Sequence, residues 1–166
     1  MHFITSKADK ESLELAKLAA ASLKENNTKY TLIREISAIG HQNLNDGHDI
    51  VVAIGDNKFI LETFRRLGKS QIPVFAVAST QGFLAQANSL NFRHYLSLIK
   101  KGKYEIFKRA RLVAKFEKAT TPIGLNDIGL FCSKSASLLE YSLVLNDEKL
   151  WKDSSDGIIV ATPTGS

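Results

Sequence analysis

A single cysteine, Cys132, stands among the 166 residues. No intrachain disulfide can form, which fits a reducing compartment. No apolar run approaches the roughly 20 residues needed to cross a bilayer, so neither a transmembrane helix nor a membrane partner is expected. The opening residues, Met1 to Lys7, lack the long apolar core of a secretory signal. Together these absences predict a cytoplasmic protein. There is no internal repeat and no low-complexity tract. No aromatic-interleaved basic motif of an RNA-binding sheet is present, and nucleic acid is not expected as a partner.

What is present describes a globular chain, with 44% hydrophobic and 23% charged residues. The length suits one ordinary domain, or one domain plus part of another. The net charge is +5. Eight of the 22 Lys and Arg residues fall between Lys100 and Lys118. That segment is either an anion-binding face or the solvated side of a surface strand. His41, His48 and His94 have no metal-ligand spacing to a Cys or carboxylate cluster and read as surface residues. Cys132 reads as a small buried residue.

The chain is organised around Asp49 to Leu61. Ile50 to Ile54 form an unbroken apolar run, the mark of a strand buried on both faces in a parallel sheet. Gly55, Asp56 and Asn57 follow, and a helical pattern begins at Lys58. Strand, Gly turn and helix start together make an anion site, because free N–H groups at a helix N-terminus point into the turn. A carboxylate there, Asp56, must hold a metal, remove a proton or cap the helix.

Around this stretch the first half alternates strand and helix. His2 to Thr5 reads as a strand. Asp9 to Asn26 reads as a helix capped by Asp9, with Leu13, Ala16, Leu18, Ala20 and Leu23 apolar. Tyr30 to Ile33 is a second strand, and Asp46-Gly47 marks a turn. Asn57 to Leu67 is a helix ended by Gly68, with Phe59, Ile60, Phe64 and Leu67 apolar. Pro73 to Val77 is a strand, and Asn91 to Lys101 looks helical. This order predicts a Rossmann-like parallel α/β domain over residues 1–102. Residues 103–166 change character. Tyr104 to Phe116 largely alternates apolar and polar, the pattern of antiparallel β. Leu138 to Leu145 and Lys149 to Trp151 flank a hairpin turn at Asn146-Asp147-Glu148. Gly157 to Ala161 reads as a buried strand. The chain stops just after Thr162-Pro163-Thr164-Gly165-Ser166, with a turn begun and nothing to pair the next edge. The expectation is a sequence cut short, with an incomplete all-β domain.

Three stretches, in order, resemble the NAD kinases. Ile54-Gly55-Asp56-Asn57-Lys58 stands where that family has Gly-Gly-Asp-Gly-Thr after an apolar strand. Leu125-Asn126-Asp127 is similar to its Asn-Glu pair. Asp156 to Ser166 is close to its Asp-Gly-x-Ile-x-x-Thr-Pro-Thr-Gly-Ser run, the most specific of the three. Ile72-Pro73-Val74 and Gly82-Phe83-Leu84 also fall where the family has a strand and a Gly-Phe-Leu element.

The resemblance implies phosphoryl transfer from ATP or polyphosphate, with Mg²⁺ or another divalent metal, to the 2′-hydroxyl of the adenosine ribose of NAD, giving NADP. It implies Asp56 as the catalytic base, which accepts the proton a weak hydroxyl nucleophile must lose. Gly55, Asn57 and Lys58 would form the phosphate-donor turn. Asp56, Asn57, Asn126, Asp127 and Asp156 would bind NAD, and Thr162, Thr164, Gly165 and Ser166 would shape a ligand loop. No metal ligand is expected from the protein alone. A homo-oligomer is implied for the full-length protein, and the isolated 166-residue chain is expected to be inactive or aggregation-prone. Each residue also has a plainer role. Asp56 can simply cap the helix, Asn126-Asp127 can be a hairpin corner, Asp156-Gly157 a turn, and Thr162 to Ser166 a loop.

The motif also departs from the family. Ile54 puts a bulky side chain where backbone should approach phosphate. Asn57 replaces a Gly at a position read as needing a positive φ, which Asn tolerates. Lys58 exchanges a hydroxyl for a cation. Asp127 is one methylene shorter than Glu. Two alternatives follow. One is a non-catalytic nucleotide-binding relative with a degenerate turn. The other is a lipid or sugar kinase that shares only the Gly-Asp turn.

Overall fold

Alternating apolar side chains send each central strand's residues to two opposite faces, so the sheet has to be covered on both. The computed structural model describes residues 1–5, 10–24, 29–33, 36–41, 44, 49–79 and 82–166. The chain divides into two compact units, Met1–Lys108 and Arg109–Ser166. The sequence reading set the division near residue 102.

In the first unit, β1 (His2–Thr5), β2 (Thr31–Ile33), β3 (Val51–Gly55), β4 (Val74–Ala78) and β5 (Ala87–Asn88) form a parallel sheet in the order β2-β1-β3-β4-β5. Phe3, Val52, Ile54, Phe75 and Val77 project to one face. There they meet Leu15, Ala16 and Ala19 of α1 (Lys10–Lys24) and Phe92 and Leu96 of α3 (Phe92–Lys100). Ile4, Val51 and Val74 project to the other, against Ile39 of a 3-10 segment (Ile36–His41) and Phe59 and Leu67 of α2 (Asn57–Leu67). The connections leaving β1 and β3 therefore cover opposite faces and run in opposite directions. Such a reversal opens a crevice beyond the carboxyl ends of the two strands. Thr5 pairs with Ile54 at those ends, so Gly55 and Asp56 sit at its lip.

Helix α2 keeps the bounds read from the sequence, and Gly68 ends it at φ 56°. Helix α1 presents a different face from the one expected. Ser12, Leu15, Ala16 and Ala19 are buried, while Leu13 and Leu18 are 40% and 43% exposed. The small residues let the helix lie close to the sheet, and the two leucines remain at the margin. Asp9, Asp46-Gly47 and His48 lie outside the described residues.

The second unit is antiparallel. β6 (Asp127–Phe131) pairs with β9 (Gly157–Ala161), and β7 (Leu139–Leu145) pairs with β8 (Glu148–Ser155). The hairpin turn is two residues, Asn146 and Asp147, at φ 51° and 67°. This is the backbone that matches the twist of the flanking strands. Two expectations are corrected. Residues 104–111 are not a strand; the alternating segment survives only as bridges Leu112–Gly124 and Lys115–Thr120. Alternation alone cannot form a strand without a partner to take its N–H and C=O groups. Strand β9 is present but not buried, with Ile159 and Val160 62% and 56% exposed, since β6 is its one ladder neighbour among the described residues. No helix among the described residues is long and apolar enough to cross a membrane.

Core position, not hydrophobicity, sets the cost of truncation in α1. Leu15→Ala is expected to destabilise the protein by roughly 2–5 kcal/mol, and Leu13→Ala by within about 0.5 kcal/mol. Urea unfolding of the two variants checks this; equal losses would contradict the assigned face.

Candidate functional site

The β3–α2 junction is built with no spare volume. A Cβ on Gly55 would lie 2.7 Å from the Phe59 ring and 2.9 Å from its Cβ, so only glycine lets the strand pass over the first turn of the helix. Asp56 follows in extended conformation (φ −76°, ψ 174°), and its Oδ1 accepts from Phe59 N at 2.8 Å. The capping role therefore holds. Ile60 N bonds to Asp56 O. Among the described residues, the N–H groups of Asn57 and Lys58 have no partner, as the first turn of a helix leaves them. Asp56 and Lys58 are exposed. One carboxylate, two free amides and a cation thus share the crevice lip.

Two sequence expectations change here. Ile54 does not crowd the turn. It is fully buried in the core formed with α1 and α3, because strand alternation aims it away from Gly55. Asn57 is not left-handed. It is the first residue of α2, since an extended Asp56 leads straight into the helix without a positive φ. Its Oδ1 accepts from Leu84 N at 3.2 Å, a contact the sequence alone did not suggest. Further along α2, burial would raise the Glu62 pKa, but hydrogen bonds from Arg66 and Arg65 and their charges lower it overall. Its contribution to stability is present above about 4.5 and is lost as pH falls through the lowered value. The two ion pairs lie at the surface, with both arginines exposed, and are modest.

The second unit gathers another group. Thr162 is buried; its hydroxyl donates to Leu125 O at 2.6 Å and its N–H to Asn126 O at 2.7 Å. Thr164 N then donates to Thr162 Oγ1, and Gly165 N and Ser166 N donate to Thr162 O. A Cβ on Gly165 would come 2.5 Å from Asn126 C and O. The 162–166 turn is thereby folded directly onto the Asn126 backbone. Asn126 Oδ1 is buried and has no partner among the described residues; a buried acceptor left without a donor costs roughly 1–3 kcal/mol. Asp127 opens β6 and is exposed, and Arg109 Nη1 reaches Thr164 Oγ1 at 3.5 Å.

Asp156 is not part of this corner. The β6–β9 ladder runs from Asp127–Ala161 to Phe131–Gly157, and Asp156 lies beyond its far end, roughly 20 Å from Thr162 along the strands. Its carbonyl accepts from Cys132 N, and Cys132 is half-buried rather than buried. Strand β6 itself was missed in the sequence; the signal was Ile128 and Leu130 alternating with Asp127, Gly129 and Phe131. Among the described residues no three His, Cys, Asp or Glu side chains converge as a metal cage. His94 is exposed.

The chain is 33% identical over 137 residues to an NAD kinase of Marinomonas sp. (strain MWYL1), covering 80% of this chain and 47% of that protein. It is 34% identical over 137 residues to a bifunctional NADP phosphatase/NAD kinase of Methanocaldococcus jannaschii, covering 80% of this chain and 22% of that one. It spans about half the length of the first and less of the second. No family model matches. The fold is similar to that of yeast NADH kinase complexed with NADH (TM-score 0.78, 19% identity, 99% of this chain and 57% of that chain). It is also similar to an NAD kinase from Archaeoglobus fulgidus in complex with ATP (TM-score 0.74, 21% identity, 99% and 61%). The resemblance carried by the motifs thus extends over most of the chain.

Gly55→Ala is expected to cost roughly 1–3 kcal/mol, the range for forcing an extra methyl into a packed site. Adding Phe59→Ala should cost less in that background than in the wild type, because the two positions touch. Thermal unfolding of the four-protein cycle measures the coupling, and strictly additive losses would refute it.

Proposed function

We propose that this chain carries the framework of an NAD kinase, which transfers a phosphoryl group to the 2′-hydroxyl of the adenosine ribose of NAD and gives NADP. The observation that carries the reading is Asp56, a carboxylate held by its own cap bond at a helix N-terminus, at the reversal point of a parallel sheet. With Oδ1 engaged by Phe59 N, the carboxylate cannot swing freely, and its second oxygen is left to accept a proton. As the ribose oxygen bonds to phosphorus, the bond from phosphorus to the donor's bridging oxygen breaks and the hydroxyl proton passes to Asp56. The free N–H groups of Asn57 and Lys58, the helix dipole and the Lys58 cation favour the donor's phosphates. The donor is ATP or polyphosphate. Mg²⁺ would accompany those phosphates and neutralise their charge.

On the same reading, the second unit binds the dinucleotide. The unpaired Asn126 Oδ1 suits a donor such as the adenine amino group, and Asp127 suits a ribose hydroxyl. The Thr162–Ser166 turn, fixed against Asn126, walls that corner. Asp156, at the far end of the ladder, serves the nicotinamide side. The exposed apolar residues of this unit, including Leu130, Phe131, Val144 and Trp151, support assembly with further copies of the protein, which would act in the cytoplasm.

The test is NADP formation from NAD, Mg²⁺ and ATP or polyphosphate, run on the 166-residue chain and on its full reading frame. Asp56→Asn is the decisive variant. Asn caps a helix about as well as Asp, so the fold and NAD binding should persist while the rate falls roughly 10²- to 10⁴-fold. NAD binding with no NADP formed by either wild-type protein would leave a non-catalytic nucleotide-binding relative. Transfer to diacylglycerol or a sugar in place of NAD would identify the other kinase class.

A further inference from the structure

We propose that Asn57 is a positioning residue, whose side chain latches the Gly82–Leu84 loop to the turn that carries Asp56. The inference rests on the kinase reading for its consequence, but not for its geometry. Asn57 Oδ1 accepts from Leu84 N at 3.2 Å, across 27 positions of sequence. The facing group is an N–H, so the carboxamide must present its oxygen to Leu84 and keep its amino end free. Gly82 leaves the space for this. A Cβ there would stand 3.1 Å from Asn57 Oδ1 and 3.3 Å from Ala78 Cβ, too close for either to remain in place.

The loop is held at neighbouring points. Ala78, the last residue of β4, pairs in register with Gly55, and Ser79 N donates to Gly55 O at 3.3 Å. On its far side Gln86 is tied back to the strand, its N–H donating to Ala76 O and its Oε1 accepting from Ala76 N. Phe83, between the fitted Gly82 and the latched Leu84, is 86% exposed. Loop and turn are thereby bound into one rim. A Gly at position 57 would supply the same backbone N–H but no latch. With its oxygen engaged, the Asn57 side chain offers a ligand donors only, which suits phosphate oxygens and not a hydroxyl proton.

Amide hydrogen exchange at Leu84, with calorimetric titration of NAD, tests this on the intact chain. Asn57→Ala removes the acceptor and should speed exchange at Leu84 about 2- to 10-fold, the range for losing one hydrogen bond. Asn57→Asp keeps an acceptor and should exchange like the wild type, yet bind NAD more weakly because a second carboxylate replaces the amino end. Unchanged Leu84 exchange in Asn57→Ala, or Asn57→Asp exchanging as fast as Asn57→Ala, would overturn the latch. Wild-type protein that fails to bind NAD would count against the kinase reading alone, since the exchange result decides the latch without any nucleotide.

Discussion

The cap bond from Phe59 N to Asp56 Oδ1 sets the geometry of everything at the crevice lip. It fixes the carboxylate and turns the chain from strand to helix in a single residue. It also leaves the N–H groups of Asn57 and Lys58 pointing out of the first turn. The bond needs Phe59 beneath the strand end, and Phe59 needs position 55 to have no side chain. A strand, a glycine, an acid and an aromatic are thus one mechanical unit. Loss of the acid's cap role would disturb the first turn of α2 even where its charge is irrelevant. The capping bond of Asp56 and the base role proposed for it are therefore not competitors. A side chain that must hold a proton acceptor still is well served by a hydrogen bond to its other oxygen, provided that bond is made with a rigid partner such as a helix backbone.

Much of this was legible because it depends on local chemistry. A short unbroken apolar run closed by a glycine reads as a strand buried on both faces, and β3 is that strand. Asp before a periodic segment and Gly after it bounded α2 correctly, since caps satisfy backbone groups within a few residues. What failed depended on distant partners. Leu13 and Leu18 looked like core residues, but the small side chains of Ala16 and Ala19 decided which face of α1 approaches the sheet. Residues 104–111 alternate well and still form no strand, because a ladder requires a neighbour that local sequence does not name. Ile54 was read as an obstacle to phosphate because the motif was considered without the direction of its side chain.

The site was legible in parts for the same reason. The residues at the 126–127 and 162–166 corner are far apart in sequence, and no spacing rule joins them. Only their resemblance to a family did so. The ladder then explains the association physically. Asp127 pairs with Ala161, so the residues just outside that pair, Asn126 and Thr162, must face one another. Thr162 closes the corner because its hydroxyl both donates to Leu125 O and accepts from Thr164 N. The same ladder separates Asp156 from the corner, although it is nearer to Thr162 in sequence than Asn126 is.

Satisfied and unsatisfied groups divide cleanly in that corner, and the division carries chemical meaning. Thr162 is buried with its hydroxyl bonded twice, so its role is to hold the turn, and exchanging it would act through structure. Asn126 has its backbone carbonyl engaged by Thr162 N, while its side-chain oxygen is buried and has no partner among the described residues. A fold that pins the backbone of a residue and buries its side-chain acceptor fixes the place where a donor can meet it. Closing that place with a ligand amino group would recover the cost of leaving it open, whereas a ligand bearing only acceptors there would add repulsion. On the proposed reading, discrimination at this corner would follow from the donor–acceptor pattern of the ligand more than from its charge, whereas the crevice lip in the first unit, with the N–H groups of Asn57 and Lys58 and the Lys58 cation, would select by charge.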